Sequence, residues 1–314
     1  TLTRGKPTLV RVLPFGLSQE EALRLAAALE RGSEHPLAKA VLEAAESLPQ
    51  AQAEEVRALP GEGVEGRVEG RRLHLGGPAL MERLGVPLPE EAKALPEEGY
   101  TPLYLVEGTR LLAAFAVFDP PRPEAQEAVA ALKALGLKLV LLTGDHPAPA
   151  RRVAEALGIP EVLAGVRPEG KVEAIRRLQA EGRKVVFVGD GINDAAALAQ
   201  ADVGLAMGSG TDIALEAGDV VLLTPDLRGV VNAVRLARRT LRTIYLNFFW
   251  AYAYNVVLIP VAAGALYPFT GLLLNPMLAA AAMSLSSLFV LTNSLRLRAF
   301  RPQALPSLNP AASS

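Results

Sequence analysis

The sequence predicts an α/β fold: a doubly wound parallel sheet, an α+β domain inserted into it, and a carboxyl-terminal transmembrane helical hairpin. Two continuous apolar runs, "KLVLLTGD" and "KVVFVGDG", end in Gly-Asp and are interleaved with helical segments. Buried parallel strands read this way because helices cover both faces of the sheet. From 243 to 295 no charged residue occurs, whereas a membrane helix needs only about 20 apolar residues. Ahead of both, "VEGRVEGRRLHLGG" and "PLYLVEGTRLLAAFAV" alternate around glycine-containing turns, as antiparallel hairpins do.

In chain order, a first strand is expected near residues 8 to 12, opening the parallel core. Helices follow at Gln19 to Arg31 and Leu37 to Ser47, and the two hairpins complete an inserted α+β domain over residues 16 to 112. The core resumes at about 115 and continues to 235. Its strands lie in the two Gly-Asp runs, in "DVGLAM" and in "DVVLL", with helices at Ala148 to Leu157 and Lys171 to Gln179. Ligands of such sheets gather beyond the carboxyl ends of the strands, where both Gly-Asp loops fall. The uncharged stretch divides at "YPFTG" into helices from Ile244 to Tyr267 and from Leu272 to Leu295. Arginines 235, 238, 239 and 242 precede it and 296, 298 and 301 follow it, so the positive-inside rule puts both ends in the cytoplasm. The alternative is a buried hairpin of a soluble protein, although buried soluble helices rarely lack charge for so long.

Lys plus Arg number 32 against 33 Asp plus Glu. That balance provides no global field for a polyanion, and no nucleic-acid partner is expected. Cysteine is absent, which excludes disulfides and thiolate metal sites. The chain opens on Thr1 without the charged and apolar regions of a signal peptide, so a processed or truncated start is expected.

The chemistry concentrates at strand ends. Asp190 and Asp194 flank Gly191, Ile192 and Asn193, bringing hard oxygen donors, an amide and flexible backbone together, as magnesium beside a phosphate requires. "LLTGD" offers the Thr143 hydroxyl and the Gly144 amide to phosphoryl oxygens. "RPEGK" places Lys171 at a helix start, a point charge that can offset charge developing in phosphoryl transfer. Singly each has a plainer reading: Gly-Asp is more often a turn, and a lone lysine is usually solvated. Together, in this order, they point to phosphate chemistry.

With "TGD" at 143 to 145 and "GDGINDAAAL" at 189 to 198, the chain resembles the haloacid dehalogenase-like phosphotransferases, specifically the P-type ATPases. That family forms an aspartyl phosphate on the Asp of a DKTGTLT motif, and this chain begins "TLTRGKP". The resemblance implies that the nucleophile lies just outside the sequence. It implies Asp190 as a magnesium ligand, Asn193 and Asp194 as residues ordering the phosphate site, and Thr143, Gly144 and Lys171 as phosphoryl-binding groups. Asp145 and Asp119 match acidic family positions.

The inserted domain extends the resemblance. "ERGSEHPLAKA" is similar to the Ser-Glu-His-Pro motif of the heavy-metal branch, implying that Glu30 and His35 meet adenine. "GEGVEG" and "LHLGG" resemble its Gly-x-Gly signature and a later glycine, implicating Gly61, Gly63 and Gly76 in ATP binding. Glycine there gives a base and its phosphates access to the backbone. Where the family has asparagine after the later glycine, this chain has Gly77.

Polar groups at membrane depth mark pathways, and the thioether of Met283 favours a soft ion such as Cu(I). Serine, asparagine and methionine also serve as packing between membrane helices, so both readings stand on the residues alone. The pairs Tyr254-Asn255 and Met-x-x-Ser-Ser, which brings in Met283 and Ser287, resemble the last two helices of copper-exporting P-type ATPases. The resemblance thus implies ATP and Mg2+ as cofactors and Cu(I) as cargo. Its domain division is 1–14 for the start of the phosphorylation domain, 15–113 for the nucleotide-binding domain and 114–237 for the remaining phosphorylation domain. The membrane helices then occupy 238–301 and a polar tail 302–314. The expected setting is a prokaryotic plasma membrane with cytoplasmic soluble domains. The expected partners are the lipid bilayer and a missing amino-terminal half holding an actuator domain and further membrane helices. Rival readings are a nucleotide-binding regulatory module tethered to the membrane, a zinc or cadmium pump, and a phosphatase of the same superfamily.

Overall fold

The computed structural model describes residues 2–189, 192–208, 216–271 and 275–302. Two compact units divide the chain, Thr1–Leu227 and Arg228–Ser314.

The first unit contains a six-stranded antiparallel sheet built from β1 (Thr8–Pro14), β2 (Ala53–Leu59), β3 (Gly63–Val68), β4 (Arg71–Gly76), β5 (Thr101–Glu107) and β6 (Arg110–Phe118), in the order β1-β6-β5-β4-β3-β2. Two helices cover one face: α1 (Gln19–Glu30) and α2 (Pro36–Ala44). Leu25, Leu29 and Val41 pack there against Leu73, Leu75, Leu105 and Phe115. On the opposite face Leu80, Met81 and Leu95 meet Tyr104, Val106 and Ala114, under the short helices α3 (Pro78–Leu84) and α4 (Glu90–Lys93). Neighbouring residues Leu105 and Val106 therefore point into separate cores. Burial of both faces explains the continuous apolar character of β5 and β6.

Local signals set these elements. Ser18 caps α1 and accepts the amide of Glu21 at 3.1 Å, as an N-cap serine does. Glu69 and Gly70 turn β3 into β4 with φ of 54° and 79°, the two positive values of a primed hairpin turn. The guanidinium of Arg24 forks onto the Glu69 carboxylate and holds that turn against α1.

The strand near residues 8 to 12 does not open the parallel core, contrary to the sequence expectation. It is β1, the edge strand of the antiparallel sheet, with Thr8 opposite Phe118 and Pro14 opposite Ala113. Leu9 and Val12 pack against one core and Leu13 against the other. A strand apolar on both sides fits either sheet, and only the free edge of β6 decides. Ahead of β1 the chain runs antiparallel to residues 119–122. Thr3 bridges Pro121, Arg4 donates its amide to Pro120 O, and Arg122 donates its amide to Leu2 O. The Asp119 carboxylate accepts the amides of Gly5 at 3.1 Å and Lys6 at 3.2 Å.

The rest of this unit is parallel, as expected. Strands β7 (Val140–Leu142) and β8 (Glu161–Leu163) pair, and β9 (Val186–Gly189), β10 (Val203–Met207) and β11 (Val220–Leu222) form a ladder in the order β11-β10-β9. Every one of these pairs is parallel. Helices α5 (Pro123–Ala134), α6 (Pro147–Leu157) and α7 (Pro168–Ala180) each begin at proline, whose fixed φ and missing N–H suit the first helical position. A shorter α8 spans Ala195–Gln200.

In the second unit α9 (Arg228–Ala262) is 35 residues long. The helix expected from Ile244 to Tyr267 is thus the later part of a helix that starts much earlier and ends sooner. Its arginines are good helix formers and do not interrupt it; Pro260 lies within its last turn. A short α10 (Tyr267–Thr270) precedes α11 (Pro276–Leu295), whose cap Asn275 accepts the Leu278 amide at 2.8 Å. Both α9 and the Pro276–Ala299 stretch are long and apolar enough to cross a membrane. The pair is joined by polar and aromatic contacts. Asn247 donates to Ser294 Oγ at 3.0 Å, Asn293 donates to Asn247 Oδ1 at 2.8 Å, and Trp250 stacks on Phe289 with centroids 5.3 Å apart.

Candidate functional site

The sequence brings Lys171 to the carboxyl end of the parallel strands through its helix. Ile175 anchors α7, packing with Ala197 against Phe187 and Val185. Lys171 lies one turn earlier on the same face, and its Nζ reaches Asp194 Oδ1 at 2.9 Å, with side chains only 16% and 13% exposed. Asp194 ends the 3-10 turn Ile192–Asp194 that follows β9 and stands at the start of α8. Gly189 makes room for it, because a Cβ at 189 would lie 2.8 Å from Asp194 Oδ2. Asn193 is exposed beside this pair. Asp190 lies outside the described residues.

Thr143, Gly144 and Asp145 follow the end of β7. The loop is pinned to the one after β8: Thr143 donates its amide to Leu163 O at 3.0 Å, Val166 donates to Thr143 O at 3.0 Å, and Gly165 donates to Asp145 O at 2.8 Å. The Thr143 hydroxyl accepts the Asp145 amide at 3.2 Å, which fixes its oxygen at the loop's tip. Gly144 and Asp145 are exposed. Hydroxyl, amide, ammonium and carboxylate groups are a donor set suited to phosphate and a hard cation rather than to a soft metal.

The antiparallel sheet carries the second constellation. Arg24 of α1 holds Glu69 at the far end of β3, and Leu29 packs where a Cβ of Gly66 would be. The helix therefore runs back along β3 and delivers Glu30 and His35 towards the end that holds Gly61 and Gly63. Glu30 is 9% exposed, and burial pushes its carboxyl up to about 7. His35 caps α2: its Nδ1 accepts the Leu37 amide at 3.2 Å, leaving Nε2 outward on an exposed ring. Gly63 and Gly76 are opposite each other in the ladder. Gly61 has φ of 74° with open space around it. Gly77, where the resemblance led to asparagine, starts α3 and donates its amide to Glu62 O at 3.2 Å.

The membrane-helix residues are not gathered in one cluster. Tyr254 faces α11, its ring 6.5 Å from Phe289. Asn255 is exposed and donates back to Ala251 O at 3.1 Å. Met283 is 56% exposed, and Ser287, one turn away, is exposed too.

A family described as haloacid dehalogenase-like hydrolase matches residues 1–202. The chain belongs to the haloacid dehalogenase-like hydrolases. Within that family it groups with the heavy-metal P-type ATPases. Copper-transporting ATPase 1 of Rhizobium meliloti (strain 1021) is 49% identical to it over 308 residues, which cover 96% of this chain and 37% of that protein. A zinc-transporting PIB-type ATPase solved in its E2.Pi state superposes with a TM-score of 0.79 at 38% identity, covering 95% of this chain and 48% of the other. The catalytic domain of the CPx-ATPase CopB-B has a TM-score of 0.53 at 30% identity, covering 74% of this chain and 84% of that domain. The chain thus spans a little over a third of the first of these relatives. Relatives named as transporting ATPases and two helices long and apolar enough to cross a membrane together support a membrane protein.

For a haloacid dehalogenase-like hydrolase, two structural helpers escaped the motif reading. Gly189 belongs to the quoted motif without a role of its own, and Ile175 is only a residue of the expected helix. Spacing offered a signal for the second, since an apolar residue four positions after a basic one shares its helix face.

Proposed function

We propose that residues 1–314 are the ATP-handling and carboxyl-terminal membrane part of a copper(I)-exporting P-type ATPase. In this reading the antiparallel sheet and its helices, residues 8–118, bind the nucleotide rather than 15–113 alone, the parallel strands and helices of 119–227 belong to the phosphorylation domain, and the two membrane helices lie within 228–299; the tail 303–314 lies outside the described residues. The soluble part lies in the cytoplasm of a prokaryote. The γ-phosphate of ATP passes to an aspartate outside these residues, in a segment that also supplies an actuator domain and further membrane helices. Glu30 and His35 address the base, Gly61, Gly63 and Gly76 let the nucleotide approach the backbone, and Thr143, Gly144 and Lys171 hold the transferred phosphoryl group. Asn193 and Asp194 order the loop, Asp145 lies beside it, and Asp190 is the candidate ligand of Mg2+. When bound, magnesium supplies charge neutralisation during transfer.

The observation that carries this reading is the Lys171–Asp194 contact at the carboxyl end of β9. It supports an ammonium held in a fixed place at the end of a parallel strand, as phosphoryl oxygens require. Copper as cargo is supported by the name of the Rhizobium meliloti relative and by Met283. The zinc-transporting neighbour favours zinc as the second reading. Tyr254, Asn255, Met283 and Ser287 would line the ion path in either case.

The test is phosphoenzyme formation from γ-labelled ATP in membranes bearing the product of the complete gene. Expected is a base-labile phosphoenzyme stimulated by Cu(I) and lost in Asp190→Asn. Stimulation by Zn2+ alone transfers the reading to the zinc alternative, and no phosphoenzyme under either metal overturns the pump.

A further inference from the structure

The unit Arg228–Ser314 has arginines at 228, 235, 238, 239, 242, 296, 298 and 301, and after Asp226 the chain contains neither an acidic residue nor a lysine. Every cation here is a guanidinium, planar and permanently charged, with donors that fork onto phosphate oxygens. The residues around α9 are not equivalent. One side is occupied by α11, through Asn247 and Trp250. Another carries an open groove lined by Arg238, Leu241, Arg242, Tyr245, Leu246 and Phe249. Arg238, Arg242, Tyr245 and Phe249 follow one another at helical spacing along it, so two cations give way to a phenol and then to a phenyl ring. At 1.5 Å per residue this series covers about 16 Å of axis. That is the distance from the headgroup layer into the upper acyl region of a bilayer leaflet.

We propose that this groove seats one anionic phospholipid, with its phosphate between Arg238 and Arg242 and an acyl chain along Tyr245 and Phe249. The proposal rests on the membrane-spanning reading of α9. Charge complementarity selects the occupant. A zwitterionic lipid brings its own cation against two guanidiniums, whereas an anionic headgroup brings only negative charge and suits a juxtamembrane basic pair. The phenol of Tyr245 lies at the level where aromatic rings prefer the membrane interface.

Trp250, the sole tryptophan of residues 1–314, provides the probe. Trp250 lies beside Phe249, with ring centroids 5.6 Å apart. The product of the complete gene, with any tryptophan other than Trp250 replaced by phenylalanine, is reconstituted into phosphatidylcholine vesicles containing a minor fraction of acyl-brominated phosphatidylglycerol or acyl-brominated phosphatidylcholine, and Trp250 quenching is titrated. Expected is half-maximal quenching at roughly tenfold lower mole fraction of the phosphatidylglycerol. The pair Arg238→Gln, Arg242→Gln is expected to abolish that preference. Arg238→Lys with Arg242→Lys keeps most of it, which separates charge from folding. Equal quenching by both lipids, a preference that survives the glutamine pair, or a lysine pair as deficient as the glutamine pair overturns the site. Quenching by neither lipid overturns the membrane-spanning reading itself.

Discussion

Gly63 and Gly76 face each other across the β3–β4 ladder, and neither position has room for a Cβ. A methyl on Gly63 would lie 2.1 Å from the Leu75 carbonyl oxygen, and one on Gly76 would lie 2.2 Å from the Glu62 carbonyl oxygen. Both obstacles are backbone, which cannot turn aside as a side chain can. The glycines of the nucleotide motif thus have a structural task as well as the access proposed for the ligand.

Gly63→Ala combines this clash with a φ of 152°. It is expected to lower stability by at least about 2 kcal/mol, which is roughly a 4–8 °C fall in the melting midpoint of a unit this size. Gly61→Ala meets only open space and is expected to cost about 1 kcal/mol for its positive φ. Calorimetric melts of both variants check the contrast. Equal losses would show that the close approach at Gly63 is relieved by a small backbone shift.

Lys171 and Asp194 are expected to couple. Each single alanine variant leaves a mostly buried charged partner, whereas the double variant removes both. A double-mutant cycle on denaturant unfolding should return a coupling of about 1–3 kcal/mol. A coupling near zero would mean that the contact is solvated.

Glu30 gives a stability signature in pH. Burial disfavours the charge and pushes its folded carboxyl up to about 7, against 4.5 for the same group in water. Between those values the folded state holds a proton that the unfolded state has released, so stability falls as pH rises from 4.5 to 7 and levels off above. The span is at most about 3 kcal/mol. Glu30→Gln should match the parent protein below pH 4.5 and melt higher at pH 8. Identical pH profiles for the two proteins would contradict the buried ionisation.

Asn247 links α11 to α9 by donating to Ser294 and accepting from Asn293. Asn247→Leu is expected to weaken helix pairing by about 0.6–2 kcal/mol. Unfolding of the purified chain in mixed micelles reads that loss, and Ser294→Ala should give a smaller one because Asn293 keeps its bond to Asn247.

Much of this architecture follows from short-range signals. The turn at Glu69–Gly70 and the Gly-Asp strand ends are local grammar and fall where the sequence puts them, whereas α7 begins at Pro168, three residues ahead of the expected Lys171. The placement of β1 was not legible, because its partner β6 is about 100 positions away and its pattern suits both sheets. The early start of α9 was hidden for another reason: its arginines read as a flank to an apolar core, although they continue the helix. At the carboxyl end of β9, motifs name Lys171 and Asp194 but not their contact, since 23 positions separate them. On the membrane helices, Tyr254 and Asn255 are adjacent in sequence, and helical phase alone sends one ring towards α11 and leaves the other side chain exposed.

The antiparallel lane of residues 2–6 and 119–122 has a mechanical consequence. The segment leading into the antiparallel sheet and the passage from that sheet to the parallel strands are stitched side by side, with Asp119 holding two successive amides. Two separate threads would let each end swivel on its own. A laced ribbon bends across its flat face and resists twisting, so a push on Thr3 is delivered to Pro121 in the same instant.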